Sequence, residues 1–151
     1  MDISAESYLA AAESNETAGW ELHERGHYVL SHYLAGLSVE CILRAYRSRL
    51  DTTFSGRHDL RKLYREARFS EILPSSPLVA EKYMAALDHV STFWSNTYRY
   101  CSRDRLHSHL KKLKIYLTIK SRGDDLLKAS SRKMLEDSSL IVSLGASKWK
   151  K

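Results

Sequence analysis

YVLSHYLAGLSVECILRAY, residues 28–46, decides the fold. Leu30, Leu34, Leu37 and Cys41 recur at the spacing of one helix face. Val29, Tyr33, Ile42 and Tyr46 widen that stripe until most of the circumference is apolar. Such a segment reads as a central, mostly buried helix. Gly36 in its middle costs about 1 kcal/mol against Ala. Its expected reason is the close approach of another helix, because a missing side chain lets backbones near each other. The helix is expected to extend over about 17–49.

Working outward, the rest of the chain also reads at helical period. Toward the N-terminus, a helix is expected over about 4–14 with Ser4 as N-cap. Toward the C-terminus, DTTFSGR (51–57) reads as a loop, followed by a short helix over about 58–68 with Leu60, Leu63, Tyr64 and Ala67 inward. After a second loop, 70–77, Ser76 before Pro77 marks a helix start: a cap oxygen, then a residue whose missing N–H would be an orphan anyway. That helix is expected over about 77–98, with Val79 or Ala80, Tyr83, Leu87, Val90 and Trp94 on its core face. Ser102 can cap the next, about 103–121, in which Leu106, Leu110, Leu113 and Leu117 form a stripe and Gly123 is the C-cap. A last helix is expected over about 124–137. In SSLIVSLGASKWKK (138–151), Leu140-Ile141-Val142 reads as an edge strand, a docked extension or, the favoured reading, part of a poorly ordered tail. No window alternates cleanly, and only six Gly and two Pro occur. The expectation is one all-α domain over 1–137, a compact up-and-down bundle of about five to six helices.

Composition excludes several classes. A chain of 151 residues with 43% hydrophobic and 28% charged residues is neither disordered nor fibrous. Two cysteines, Cys41 and Cys101, are too few for a disulfide scaffold, so a reducing, cytoplasmic setting is expected. No apolar run reaches the ~20 residues needed to cross a bilayer, and no membrane partner is expected. The acidic opening MDISAESYLAAAESNE does not read as a secretory leader. The net charge of +6 is unevenly spread: residues 1–40 carry −6, 41–70 carry +5 and 99–122 carry +7. Such asymmetry suits an anionic partner, self-association through opposite charges, or simply two solvated helix faces.

Phosphate loops, paired Cys-x-x-Cys, His-Glu-x-x-His and Gly-x-Ser-x-Gly are missing, so no metal or other cofactor is expected. Glu40 and Arg44 stand four apart in the favourable order for a helix pair. They read either as a partly exposed salt bridge or as a charged pair at a helix–helix or subunit contact. His58 and Asp59 open the short helix and read as a cap, or as a site where His58 meets a phosphate alongside Arg57 or Arg61. The densest polar segment is Tyr98-Arg99-Tyr100-Cys101-Ser102-Arg103-Asp104-Arg105-Leu106-His107-Ser108-His109. Its residue types suit RNA or nucleotides. Arginine forks a phosphate, tyrosine stacks on an unpaired base, and histidine moves protons near neutral pH. Arg103 and His107 share a helix face. Arg103 and His109 diverge on a regular helix, and converge only at an irregular first turn or across two subunits. A solvated, basic helix start is the plainer alternative.

Three segments together resemble the HEPN family (higher eukaryotes and prokaryotes nucleotide-binding domains). HYLAGLSVECILRAY (32–46) looks like that family's second helix, with Glu40 followed by Arg44. GRHDLRKLYREA (56–67) is similar to its His-Asp-Leu stretch, and Trp94 followed by Arg99-Tyr100 resembles the ending of its fourth helix. The resemblance spans about 30–121 and leaves out 1–18 and 138–151. It implies a helical bundle, commonly a homodimer, and in many members a metal-independent endoribonuclease of defence or toxin–antitoxin systems. The family motif (Arg, a polar residue, four to six residues, His) falls on Arg103, Asp104 and His109. Arg103 would hold the scissile phosphate and His109 would transfer the proton. Arg99, Tyr100, Asp104, Arg105 and His107 would line the RNA or nucleotide path, with Glu40, Arg44, His58, Asp59 and Trp94 structural or interfacial. Members ending in Arg-Tyr can instead be non-catalytic nucleotide-binding or helper modules beside a nucleotidyltransferase, and an antitoxin is a further partner class.

Overall fold

Ser4 accepts a hydrogen bond from the Ser7 N–H at 3.1 Å and opens the first helix, α1 (Ala5–Glu24). The computed structural model describes residues 2–51, 58–120 and 125–149. Further helices follow as α2 (Tyr28–Leu50), α3 (Leu60–Glu66), α4 (Pro77–Phe93), α5 (Arg103–Lys112) and α6 (Leu126–Lys148). Single 3₁₀ turns lie at Phe69–Ile72, Asn96–Tyr100 and Ile115–Leu117. The molecule is all-α, with no strand among the described residues.

The first two helices divide later than the sequence suggests. Residues 14–17 do not interrupt α1; Asn15 instead donates to the Cys41 Sγ of α2 at 3.8 Å. The break comes at Gly26, whose φ of 83° is open to glycine alone without cost. The His27 N–H reaches back to the Leu22 carbonyl at 2.9 Å, and the Gly26 N–H to the His23 carbonyl at 3.0 Å. This paired closure is a Schellman motif. It reverses the chain, so α1 packs antiparallel along α2.

α2 is the central, mostly buried helix that its periodicity predicts, although the buried side is rotated. Leu30 is exposed and Leu34 and Leu37 are only partly buried, while Ala35, Val39, Ile42 and Leu43 are fully enclosed. Gly36 is occupied differently from the expectation. The nearest atoms to it are those of the Trp94 indole rather than of a helix backbone, and an added Cβ would stand 2.0 Å from Trp94 Cδ1. The Trp94 Nε1–H donates to the Tyr33 carbonyl at 2.9 Å, which locks the ring in this slot. Helix-to-helix approach occurs instead at Gly145, where an added Cβ would meet Ile42 Cγ1 at 2.4 Å. The Tyr46 hydroxyl donates to the Gly145 carbonyl at 2.7 Å at the same crossing.

Two helices end earlier than expected and one runs on. α4 stops at Phe93, and Trp94 and Ser95 are extended. α5 stops at Lys112 because Lys114 turns left-handed, with φ 59°. Ile115 then goes inward and is fully buried, leaving Leu113 and Leu117 exposed rather than in the core. Arg68, with φ 53°, does the same before buried Phe69. Each costs roughly 1–2 kcal/mol of backbone strain, which burying the following side chain offsets. Residues 138–148, expected to be a tail, continue α6 as regular helix with Ile141, Val142 and Leu144 buried. The DTTFSGR loop, apart from Asp51, and the Gly123 cap lie outside the described residues.

A polar seam runs through this core. The His32 Nε2–H donates to the Phe93 carbonyl at 2.8 Å, and its Nδ1 pairs with Ser130 Oγ at 3.0 Å. The carbonyl can only accept, so the proton sits on Nε2 and Ser130 is the donor on the other side. Burial holds His32 neutral, with its pKa pulled down to about 4. A second relay joins His23 Nδ1 to Ser131 Oγ at 2.6 Å, Ser131 to Ser31 at 2.6 Å, and the Ser31 hydroxyl to the Tyr28 carbonyl. The carbonyl again fixes the direction, so His23 donates from Nδ1. Its Nε2 is then an unprotonated acceptor, and it is buried without a partner.

Candidate nucleotide-binding clefts

The segment between α4 and α5 is shaped by three local devices. Trp94 anchors its start in the Gly36 slot. The Ser95 hydroxyl accepts from the Thr97 N–H at 3.3 Å and starts the 3₁₀ turn Asn96–Tyr100. The Ser102 hydroxyl accepts from the Arg105 N–H at 3.2 Å and starts α5, with Asp104 in the first turn where the helix dipole favours it. Between these points Tyr98 turns inward. Its ring lies 5.8 Å from that of His32 and 5.5 Å, edge-on, from that of His109. Burial pushes its hydroxyl up to about 12, so it remains a neutral wall.

Tyr98 and Cys101 separate two clefts. On one side a cleft of about 400 Å³ is lined by Tyr100, Arg105 and His109, with Ser95 and Thr97 at its edge. On the other a cleft of about 380 Å³ is lined by Arg99 and Arg103 together with His27 and Tyr28 of the α1–α2 turn. Tyr100 is 73% exposed, and the Arg99 guanidinium sits 4.6 Å from its ring centre. Arg103 pairs with Asp125, the N-cap of α6, and lies 5.9 Å from the Tyr28 ring centre. His27, the N-cap of α2, makes no side-chain capping bond, and no acid stands in that helix's first turn. Each cleft therefore sets at least one arginine beside an aromatic face, a pairing suited to a phosphate and a base.

Not all the residues singled out by sequence meet. Arg103 and His109 line different clefts on opposite sides of Tyr98. Asp104 and His107 line neither of these two clefts. Glu40, Arg44 and His58 form a separate cluster between α2 and the start of α3. Glu40 is 3% exposed, and it accepts from His58 Nδ1 at 2.5 Å and pairs with Arg44 Nε at 3.5 Å. His58 thus bonds a buried carboxylate rather than backbone groups, and Arg61 pairs with Asp88 at 2.8 Å. Asp59 caps α3 by accepting from the Lys62 N–H. Trp94 is core. Among the described residues, no group of three or more His, Cys, Asp or Glu side chains is gathered to hold a metal.

Sequence reasoning missed His27, Tyr28 and Asp125 as neighbours of the arginines. Gly26 was the available signal for the first two, since a glycine between two helical runs marks a chain reversal. Asp125 is 22 residues from Arg103, and no local period relates them. Comparison with protein-family models, with curated proteins and with solved structures finds no match.

Proposed function

We propose that this protein is a HEPN-like module that binds RNA or nucleotides through the two clefts. The supporting observation is their shared wall: Tyr98 and Cys101 stand between an Arg105–His109–Tyr100 cleft and an Arg99–Arg103–Tyr28 cleft. A phosphodiester passing from one to the other meets a cation on each side and an exposed tyrosine on which a base can stack. The free thiols Cys41 and Cys101 suit a cytoplasmic setting. Fluorescence anisotropy with a short single-stranded RNA tests the reading. Arg105→Ala and Arg99→Ala should each weaken binding roughly tenfold, since each removes charged hydrogen bonds to phosphate. Binding unaffected by both substitutions contradicts the assignment.

The second reading is a metal-independent endoribonuclease that works as a dimer. It is favoured by the exposure of both motif side chains at cleft edges, and it requires two subunits because Arg103 and His109 of one chain do not share a cleft. In that reaction His109 takes the proton of an RNA 2′-hydroxyl as its oxygen bonds to phosphorus. The 5′-oxygen leaves and takes up a proton, producing a 2′,3′-cyclic phosphate. Arg103 balances charge on the phosphorane oxygens. Cleavage in EDTA that disappears with His109→Ala supports this reading. RNA bound but not cleaved leaves the binding module, for which a nucleotidyltransferase or an antitoxin is the partner class.

A further inference from the structure

The end of α5 carries a surface that neither cleft uses. Lys114, with φ 59°, ends the helix and sends Ile115 into the core, where it is fully buried. The tip is thereby pinned while its other side chains face outward. Leu113, Tyr116 and Leu117 are 39%, 49% and 73% exposed, three of the ten exposed large hydrophobics of the described residues within five positions. Lys111, Lys112, Lys114 and Lys120 surround them, all exposed and with no ion pair among the described residues. No Asp or Glu occurs from 105 to 120.

We propose that this tip docks on an anionic phospholipid surface. Leu117 and Leu113 would enter the boundary between headgroups and acyl chains. Tyr116 would sit at headgroup level with its hydroxyl in water, and the lysines would pair with lipid phosphates and carboxylates. Charge complementarity selects the occupant. A neutral surface would leave four lysines without counter-charge, and a bare phosphate track would not need two exposed leucines. The sequence expectation of no membrane partner rested on the lack of a crossing segment; no helix among the described residues is long and apolar enough to cross a membrane, and a contact at the surface needs none. It is independent of the nucleotide reading, whose residues lie on the other side of the Lys114 turn in sequence.

Co-sedimentation of the full-length protein with vesicles of phosphatidylcholine, with and without phosphatidylserine, tests this. Binding is expected only with phosphatidylserine and should fall at high salt, where screening shortens to a few ångström. Leu117→Ser should weaken it roughly tenfold by removing buried apolar surface. Lys112→Glu with Lys114→Glu should weaken it at least about twenty-five-fold, from roughly fivefold per lysine. Thermal melts of these variants check that the fold is kept, and Tyr116→Ser provides a second apolar probe. No sedimentation with phosphatidylserine at low salt overturns the proposal. So does binding that ignores both Leu117→Ser and Tyr116→Ser, or an equal loss of single-stranded RNA binding in Leu117→Ser, which would make the tip an RNA surface.

Discussion

Gly36 is the residue on which the geometry of the α4–α5 segment turns. It is the slot for the Trp94 indole, and Trp94 anchors the start of the segment that contributes to both clefts. Gly36→Ala would put a methyl group 2.0 Å from Trp94 Cδ1, and the ring would leave together with its bond to the Tyr33 carbonyl. Overpacking of this kind costs about 1–3 kcal/mol. In a chain of this length a circular-dichroism melt should show a drop of roughly 3–10 °C. A variant that melts with the parent contradicts the slot. The sequence shows that Gly36 must be tightly approached, because glycine in a buried helix needs a reason, but not by what: Trp94 is far along the chain and follows no helical period relative to it. Glu40 and Arg44 are similarly half-legible. Their spacing announces the pair, whereas the partner His58 lies 18 residues away from Glu40 and follows no helical period relative to it.

At the scale of elements, the long apolar period of α2 is the most legible feature, and the ends of helices are the least. The Leu106, Leu110, Leu113, Leu117 stripe illustrates why. A spacing rule assumes that the backbone stays helical, but Lys114 turns left-handed, so Ile115 takes the buried place. Leu110→Ala should therefore cost about 2–5 kcal/mol in chemical denaturation, as a fully buried leucine does. Leu117→Ala should stay within about 0.5 kcal/mol, as a surface change does. Equal effects would restore the continuous stripe. α6 was misread for a different reason. Ser138, Ser139, Ser143 and Ser147 make its second half look like a polar tail, yet Ser138 is buried and Ser139 half-buried against a core with its own polar seam, and only Ser143 and Ser147 are exposed. Trp20 Nε1–H, for example, donates to Ser139 Oγ at 2.9 Å. Ending the chain after Asp137 removes Ile141, Val142, Leu144 and the Tyr46–Gly145 bond, and should abolish the cooperative melt. A truncated chain that melts like the parent would show that this half of α6 contributes little.

For the whole molecule, buried histidines set the response to acid. His32 and His89 are held near 4 by burial, against an ordinary value of 6.5, and Lys133 adds to the lowering at His89. Between pH 6.5 and 4 the unfolded chain binds more protons than the folded one, so stability falls as pH falls through that window and is complete above it. The loss is at most about 3 kcal/mol for each histidine. Burial raises the Asp137 carboxyl, which offsets part of this because its protonated form is the one favoured by the fold. Urea titrations at pH 7.5 and at pH 4.5 should give a clearly lower midpoint at the acid pH. His32→Gln should flatten the difference, and an unchanged midpoint in the parent would contradict neutral burial. The candidate site, by contrast, was legible as composition and not as arrangement. Arg99, Tyr100, Arg103, Arg105 and His109 stand in one short segment, but the inward turn of Tyr98 divides them between two clefts. Photo-crosslinking of a short single-stranded RNA to the full chain, with the attached peptides read by mass spectrometry, tests that arrangement most directly. The account predicts crosslinks at Tyr100 and at Tyr28, on both sides of the Tyr98 wall. Crosslinks confined to other surfaces, or none while the RNA is bound, would contradict it.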